Sequence, residues 1–522
     1  MIPKIIHQTW RDRDIPQAMQ AFVASWPKLH PGWEIRLWTD DDLARLVETD
    51  YPHLAELYFG YARPIQRADL GRYLVLRSHG GVYADLDAEA LRPFDEWLGA
   101  DRPVFAEEPR SHLAETVVAV RQFSHVVSNA VMLSPAGHPF WNAVIDLAIE
   151  CRHALDPLDS TGPFLLTGAV EAANAEIRPE VLPGYMFSPR DKAGRDCTDI
   201  DPARPALAQH HWLHTWVGAD ETLRLPVRLK TAFRKARLRW RERGAEPASV
   251  REAAVDRAAL ARQAPADGTV LVAIPVRNAA ATLDALFAHI EALDYPAEKL
   301  SIAFLIGNSI DDSLERLRAF LARSQRRFRR TLLVEQDFAA PDSGPRWNLR
   351  HQRVRRSRIA QARNRLLDAA LVDEDWVLWI DADIVDFPPD ILCRMLAERA
   401  RVVHPDCVRQ PGGPSFDLNA WIALAEPRDD QWIKHVRDGL YQPPVGHLRL
   451  YQHDLRHLRR VRLDSVGGTM LLVDAAIHRA GITFPDQPYR RLIETEAFAA
   501  LARRFDIEII GLPQIQIRHA EG

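Results

Sequence analysis

Two hydrophobic patterns alternate along the 522 residues. Short runs such as Thr269–Ile274, before a Pro and polar loop at Pro275–Asn278, Ser301–Ile306 and Trp376–Ile380 are apolar with little polar alternation, the mark of strands buried on both faces. Trp33–Trp38 alternates instead, as a half-buried strand does, and Thr39 with Asp40, Asp41 and Asp42 reads as an N-cap and first helical turn. Ile2–Ile6 predicts a short strand running into a polar loop at His7, Gln8 and Thr9. Arg67–Arg77 sets Leu70, Tyr73, Leu74 and Arg77 near one helical face, and Thr282–Leu293 is again helical. Strand followed by helix, begun twice, predicts an α/β protein built from two tandem Rossmann-like domains. Trp376–Ile380 is expected at the centre of a parallel sheet in the second.

Composition breaks between the two. Gly244–Ser249 and Gln263–Gly268 read as loops. Between residues 228 and 243, Leu229, Phe233, Ala236 and Trp240 make an apolar stripe among eight Lys and Arg residues, a basic amphipathic helix. The expected domains are 1–225 and 268–522, joined by a connector at 226–267. A helix like 228–243 either docks between domains or lies on an anionic membrane surface.

Candidate chemistry sits where two strands end. Trp376–Ile380 delivers Asp381 and Asp383, and Val82–Ala84, after the turn Gly80–Gly81, delivers Asp85 and Asp87. Residues i and i+2 of extended chain point the same way, so each pair can share one divalent cation with a diphosphate. The plainer alternative is a turn rich in Asp. Net charge of −4 excludes a general nucleic-acid binder. Four scattered cysteines, without a CxxC pair, fit a reducing compartment and no structural zinc. No apolar leader and no run of about 18 apolar residues is present, which predicts a cytoplasmic protein, at most peripheral at the inner face of a membrane.

The ordered set Ile2–Trp10, Arg67–Asp69, Arg72–Tyr73, Gly80–Asp87, Ser128–Asn129, Gly137–Pro139, Thr161–Pro163, His210–Trp212 and Thr215–Trp216 resembles family 32 glycosyltransferases, the DXD sugar transferases. That resemblance implies a GT-A fold and retaining transfer from a nucleotide-diphosphate sugar. It also implies metal at Asp85, Asp87 and His210 (or His211), donor contacts from His7, Gln8, Thr9 and Arg72, and a catalytic-centre role for Asp69 on the donor ribose or sugar.

A second set resembles family 62, the mannan-polymerase type α-mannosyltransferases: Ala362–Asn364, Trp376–Ile384, Pro405–Cys407, Phe416–Trp421, Leu463–Thr469, Val473, His478–Arg479, Gly481, Phe484–Pro485, Glu494–Glu496, Gly511–Pro513 and His519. It implies GDP-mannose and manganese, with metal at Asp381, Asp383 and His519. Donor contacts follow at Pro275, Val276, Arg277, Asn278, Arg363, Gly467 and Gly468. Asp464, Glu494 and Glu496 would line the acceptor and sugar side. Ser465 and Ala497 stand where that family usually has Gly, and its membrane anchor is missing. The neighbouring Arg353, Arg355, Arg356 and Arg358 are expected on a helix surface.

The expectation is a bifunctional retaining glycosyltransferase with one divalent metal per domain, manganese before magnesium. Its partners would be GDP-mannose or UDP-sugar donors and a glycan or lipid-linked acceptor. The alternative is one catalytic domain, the other being a carbohydrate-binding or assembly module. A nucleotidyltransferase would begin with a Gly-rich loop, which neither half has.

Overall fold

In the computed structural model residues 1–213, 248–338, 352–425 and 434–521 are described. The basic helix expected at 228–243, Thr215–Trp216 and the start of the Arg-rich stretch at 346–351 lie outside them. The chain forms two compact units: Met1–Arg224 with Asp454–Leu458, and Leu225–His453 with Arg459–Gly522.

The first unit is built on strands β1 (Ile5–Thr9), β2 (Glu34–Trp38), β3 (Gly81–Ala84), β4 (Ala88–Ala90), β5 (Val104–Ala106), β6 (Val131–Ser134), β7 (Glu180–Leu182) and β8 (Ala208–His210). Its main sheet runs β2-β1-β3-β6-β5-β7, with β1 parallel to both β2 and β3 and β6 antiparallel to β3. The helix Asp40–Asp50 starts on the expected cap: Thr39 and Asp42 exchange side-chain and backbone bonds in a capping box. The helix Pro64–His79 ends at Gly80, with Gly81 next, at φ 63° and 94°. A side chain at either would strike backbone, of Ala136 or of Ile5, so both positions require glycine. One expectation is corrected here. His7, Gln8 and Thr9 belong to β1 and not to a loop, because its parallel register with β2 continues to Thr9 opposite Trp38.

The second unit carries β9 (Val270–Val276), β10 (Leu300–Ile306), β11 (Arg330–Glu335), β12 (Trp376–Ile380), β13 (Ile384–Asp386) and β14 (Val402–Val408). Short strands β15 (Trp421–Ala423), β16 (Val436–Arg437), β17 (Leu440–Tyr441), β18 (Arg449–Tyr451) and β19 (Val461–Arg462) precede β20 (Met470–Asp474) and β21 (Ile509–His519). The large sheet runs β11-β10-β9-β12-β20-β14-β21-β13. β9 to β12 are mutually parallel, as the apolar runs of β9, β10 and β12 foretell. On its other side β12 meets β20 antiparallel. The sheet is therefore mixed, and the expected all-parallel setting of β12 is corrected: the apolar run of β20 looks the same in either direction.

Each unit buries a neutral histidine between an indole and a carbonyl. In the first, Trp38 Nε1–H donates to His7 Nδ1 at 3.1 Å and His7 Nε2–H to Gly80 O at 2.9 Å. In the second, Trp379 Nε1–H donates to His478 Nε2 at 3.1 Å and His478 Nδ1–H to Ile482 O at 2.9 Å. Burial pushes both down from 6.5 to about 4; the carbonyl bonds oppose it, while His79 and Arg36 at His7, and Arg479 at His478, add to it. Since the folded value lies below the unfolded one, the unfolded chain binds the extra proton between pH 6.5 and 4. Stability is complete above pH 6.5 and should fall on acidification to pH 4, by about 3 kcal/mol per histidine. Denaturant titrations across that window check this; a flat profile would count against it.

Candidate active sites

In the first unit, β3 runs straight into Asp85. Its Oδ1 accepts from the Tyr83 hydroxyl at 2.7 Å and pairs with Arg72 Nη1 at 3.0 Å. Arg72 Nη2 lies 3.0 Å from Asp69 Oδ1, which also accepts from Asn129 Nδ2. Asp69 and Arg72 thus do pair, but in the interior and not on a surface, at 4% exposure each. Burial pushes Asp69 up to about 7, Arg72 opposing and Asp85 assisting. His210 arrives on β8, whose antiparallel register places it opposite Ala88, next to Asp87. Ligand atoms of Asp85, Asp87 and His210 all lie within 4.8 Å of one another. Burial alone would raise Asp87, yet His210 and the Leu213 N–H hold it at about 2; His210 is raised in turn, Asp87 outweighing burial.

His7 and Gln8 are fully enclosed and Thr9 Oγ1 is spent on the Tyr83 hydroxyl at 2.7 Å. His7, through Gly80 O, and Thr9, through the Tyr83 hydroxyl, tie β1 to the two ends of β3. The donor contacts expected of His7 are corrected, since both its ring nitrogens are used within the fold.

In the second unit a cavity of about 980 Å³ opens at the carboxyl ends of β9, β10 and β12. Pro275, Val276, Arg277 and Asn278 line it, as do Asp381, Asp383, His519 and Glu494 with Arg363 and Gly468. Two asparagines in left-handed backbone lace its floor: Asn278 (φ 49°) accepts from Ile310 N–H and Asn308 (φ 53°) from Phe338 N–H, each at 2.9 Å. Arg363, fully buried, reaches Asp381 Oδ1 at 2.7 Å, Gly468 O at 3.1 Å and Glu494 Oε1 at 3.3 Å. Burial pushes Asp381 up, with Asp383 adding and Arg363 opposing. β21 pairs antiparallel with β13, His519 opposite Ile384, which sets His519 Nε2 2.9 Å from Asp383 Oδ2. His519 Nδ1–H is bound to Ala520 O at 2.7 Å, and Phe416 packs on the ring at 3.9 Å.

Several expected positions fall elsewhere. Asp464 accepts from Ala423 N–H and pairs with Arg503, and Glu496 binds Arg356 and Trp421; neither lines the cavity. Gly467 lies behind the wall, packed on the Asp417 carboxylate. Arg355, Arg356 and Arg358, expected on a surface, line the cavity, because the helix Gln352–Ala370 turns that face inward. Glu494 opens the helix Glu494–Arg503 at φ 58°, a strained setting for a buried acid that burial also raises. Sequence reasoning missed Asp417, whose Oδ2 accepts from Gly468 N, Thr469 N and Thr469 Oγ1. An Asp between Phe416 and Leu418 carries no periodic signal.

Residues 256–488 match the protein-family model Anp1, and residues 16–103 match that of the glycosyltransferase sugar-binding region containing DXD motif. The mannan polymerase complex subunit mnn9 of Schizosaccharomyces pombe is 30% identical over 249 residues, 44% of this chain and 73% of that protein. The chain belongs to the Anp1 family. The mannan polymerase II complex anp1 subunit of the same yeast is 31% identical over 279 residues, 48% of this chain; the chain spans 63% of that relative. Inositol phosphoceramide mannosyltransferase 3, also of S. pombe, is 37% identical over 171 residues, 32% of this chain and 44% of that protein. Solved glycosyltransferase structures align at TM-scores of 0.30 and 0.31, too low to argue from. Both units of this chain are α/β, and the first carries the glycosyltransferase sugar-binding region.

The expected cytoplasmic location is corrected. The relatives that overturn it are mannan polymerase complex subunits and a mannosyltransferase named for inositol phosphoceramide, a lipid. No helix among the described residues is long and apolar enough to cross a membrane, and cysteine spacing does not fix a compartment.

Proposed function

We propose that the protein is a bifunctional retaining glycosyltransferase with two divalent-metal sites, the second taking GDP-mannose, that extends a glycan or lipid-linked acceptor. The observation carrying this is the first unit's cluster, where Asp85, Asp87 and His210 place ligand atoms within 4.8 Å of one another; in the second, a later-strand histidine, His519, meets Asp383 of the Asp381–Asp383 pair. Oxygen and imidazole donors in that number suit manganese, with magnesium second. Asp85, Asp87 and His210 would hold the ion in the first site, Asp381, Asp383 and His519 in the second. His519 fits this role, its Nδ1–H being tied to Ala520 O so that Nε2 is the ring atom turned toward Asp383. Bound there, the ion supplies Lewis-acid stabilisation of charge on the departing diphosphate.

The chain's own residues do the rest. Arg72 holds Asp69 and Asp85 in register, and Arg363 does the same for Asp381 and Glu494. Arg277 and Asn278 line the second cavity and would meet the nucleotide there. Retention by front-face attack needs no base opposite the leaving group, so none is assigned. GDP-mannose is supported by the names of the relatives, mannan polymerase subunits and a mannosyltransferase.

The test is to incubate the full chain with manganese and a panel of UDP- and GDP-sugars, with and without EDTA. Manganese-dependent release of GDP from GDP-mannose is expected. Undiminished turnover in EDTA would sink the metal sites; turnover of UDP-sugars alone would overturn the donor.

A further inference from the structure

The turn that delivers His210 ends in a strained residue. Trp212 has φ 47°, a left-handed setting that a bulky aromatic side chain rarely adopts and that clusters at functional sites. The chain on either side is pinned to one residue: His211 N–H donates to Asp87 O at 2.9 Å and Leu213 N–H to Asp87 Oδ2 at 2.8 Å. The strain is therefore imposed by the same turn that wraps Asp87, and its result is the position of the indole. That ring lies 4.6 Å from the His210 ring and 5.1 Å from the His112 ring, the latter edge-on at 75°. His112 is itself buried and fixed, its Nδ1 2.9 Å from Glu108 Oε2 and its Nε2 accepting from Lys192 N–H at 3.4 Å. Trp212 keeps part of its surface open.

A donor is gripped by charge, through its diphosphate. A glycan acceptor is neutral and must be held by the C–H face of its ring and by its hydroxyls. An indole face suits the first and a carboxylate the second. We propose that Trp212, propped by the Glu108–His112 pair, is the platform on which an acceptor pyranose stacks at the first site. This rests on the reading of the first unit as a glycosyltransferase site.

The experiment uses the full chain with the second site silenced by Asp381→Asn and Asp383→Asn, carrying Trp212, Trp212→Ala or Trp212→Phe. Methyl α-mannoside and α-linked mannobiose serve as acceptors. Readouts are KM for the saccharide, donor hydrolysis without acceptor, manganese affinity, and saccharide binding by saturation-transfer NMR. Trp212→Ala should raise the acceptor KM about tenfold while leaving donor hydrolysis and manganese affinity close to normal. Trp212→Phe should return KM to within about threefold.

An unchanged KM in Trp212→Ala overturns the platform and leaves the glycosyltransferase reading standing. Lost manganese affinity in both variants makes Trp212 a prop for His210, which also overturns it. If the parent shows no turnover yet binds saccharide, and Trp212→Ala does not, the platform stands and the reading of the site falls. Equal or absent binding without turnover overturns both.

Discussion

The chain carrying Asp381→Asn and Asp383→Asn is expected to fold, to keep the activity proposed for the first site and to lose that proposed for the second by at least about 10³-fold, the scale of removing a principal electrostatic stabiliser. Asparagine preserves volume and one acceptor oxygen but not the negative charge. Arg363 keeps Glu494 as a partner, so the buried guanidinium is not stranded. Stability should hold or rise, because Asp381 is already pushed up by burial and by Asp383, and neutralising it removes that repulsion. The reciprocal pair, Asp85→Asn with Asp87→Asn, should silence the first activity alone, though with some loss of stability, since Asp87 braces the Leu213 turn. Product analysis for each transfer, beside thermal melts, checks both. Equal loss of the two activities in either variant would mean a single shared catalytic centre.

Gly467→Ala should be nearly as damaging to the second activity, at a position outside the cavity wall. An added methyl group would overlap the Asp417 carboxylate. That carboxylate cannot swing away: Gly468 N and Thr469 Oγ1 hold it at 3.0 Å each and Thr469 N at 3.3 Å. Burial alone would raise it, but His404 and these bonds keep it well below the ordinary carboxylate range. Thr469 O in turn accepts from Asp381 N–H at 3.0 Å, so a shift of this turn moves Asp381 directly. Overpacking costs about 1–3 kcal/mol, and the second activity should drop by about 10²-fold, as small displacements of catalytic groups do. Gly99→Ala, where an added Cβ meets nothing within 4 Å, is the matched control. Full second-site activity in Gly467→Ala would show that Asp417 does not position Asp381.

What was legible in the sequence follows from what repeats. β9, β10 and β12 announce themselves because each is apolar on both faces, and Asp381 and Asp383 stand out because two charges follow such a strand. His519 could be tied to them only through family likeness; its contact with Asp383 depends on the antiparallel pairing of β21 with β13, more than a hundred residues away in sequence. The interior placing of Asp69 and Arg72 was hidden, since an i, i+3 pair looks the same on a buried helix face as on an exposed one. Asp417 was hidden more deeply, as its partners are backbone N–H groups that no side-chain pattern encodes. Location was misjudged because soluble composition describes a domain and not its address.

In both units the histidine follows its acid pair by more than a hundred residues, on a strand that must pair before the two meet. β8 must pair with β4 before His210 meets Asp87, and β21 must dock on β13 and β14 before His519 meets Asp383. As the chain emerges during synthesis, each acid pair exists for a time without its imidazole, on a sheet not yet closed at that edge. Completion of the strand pairing and completion of each acid–histidine cluster are therefore one event.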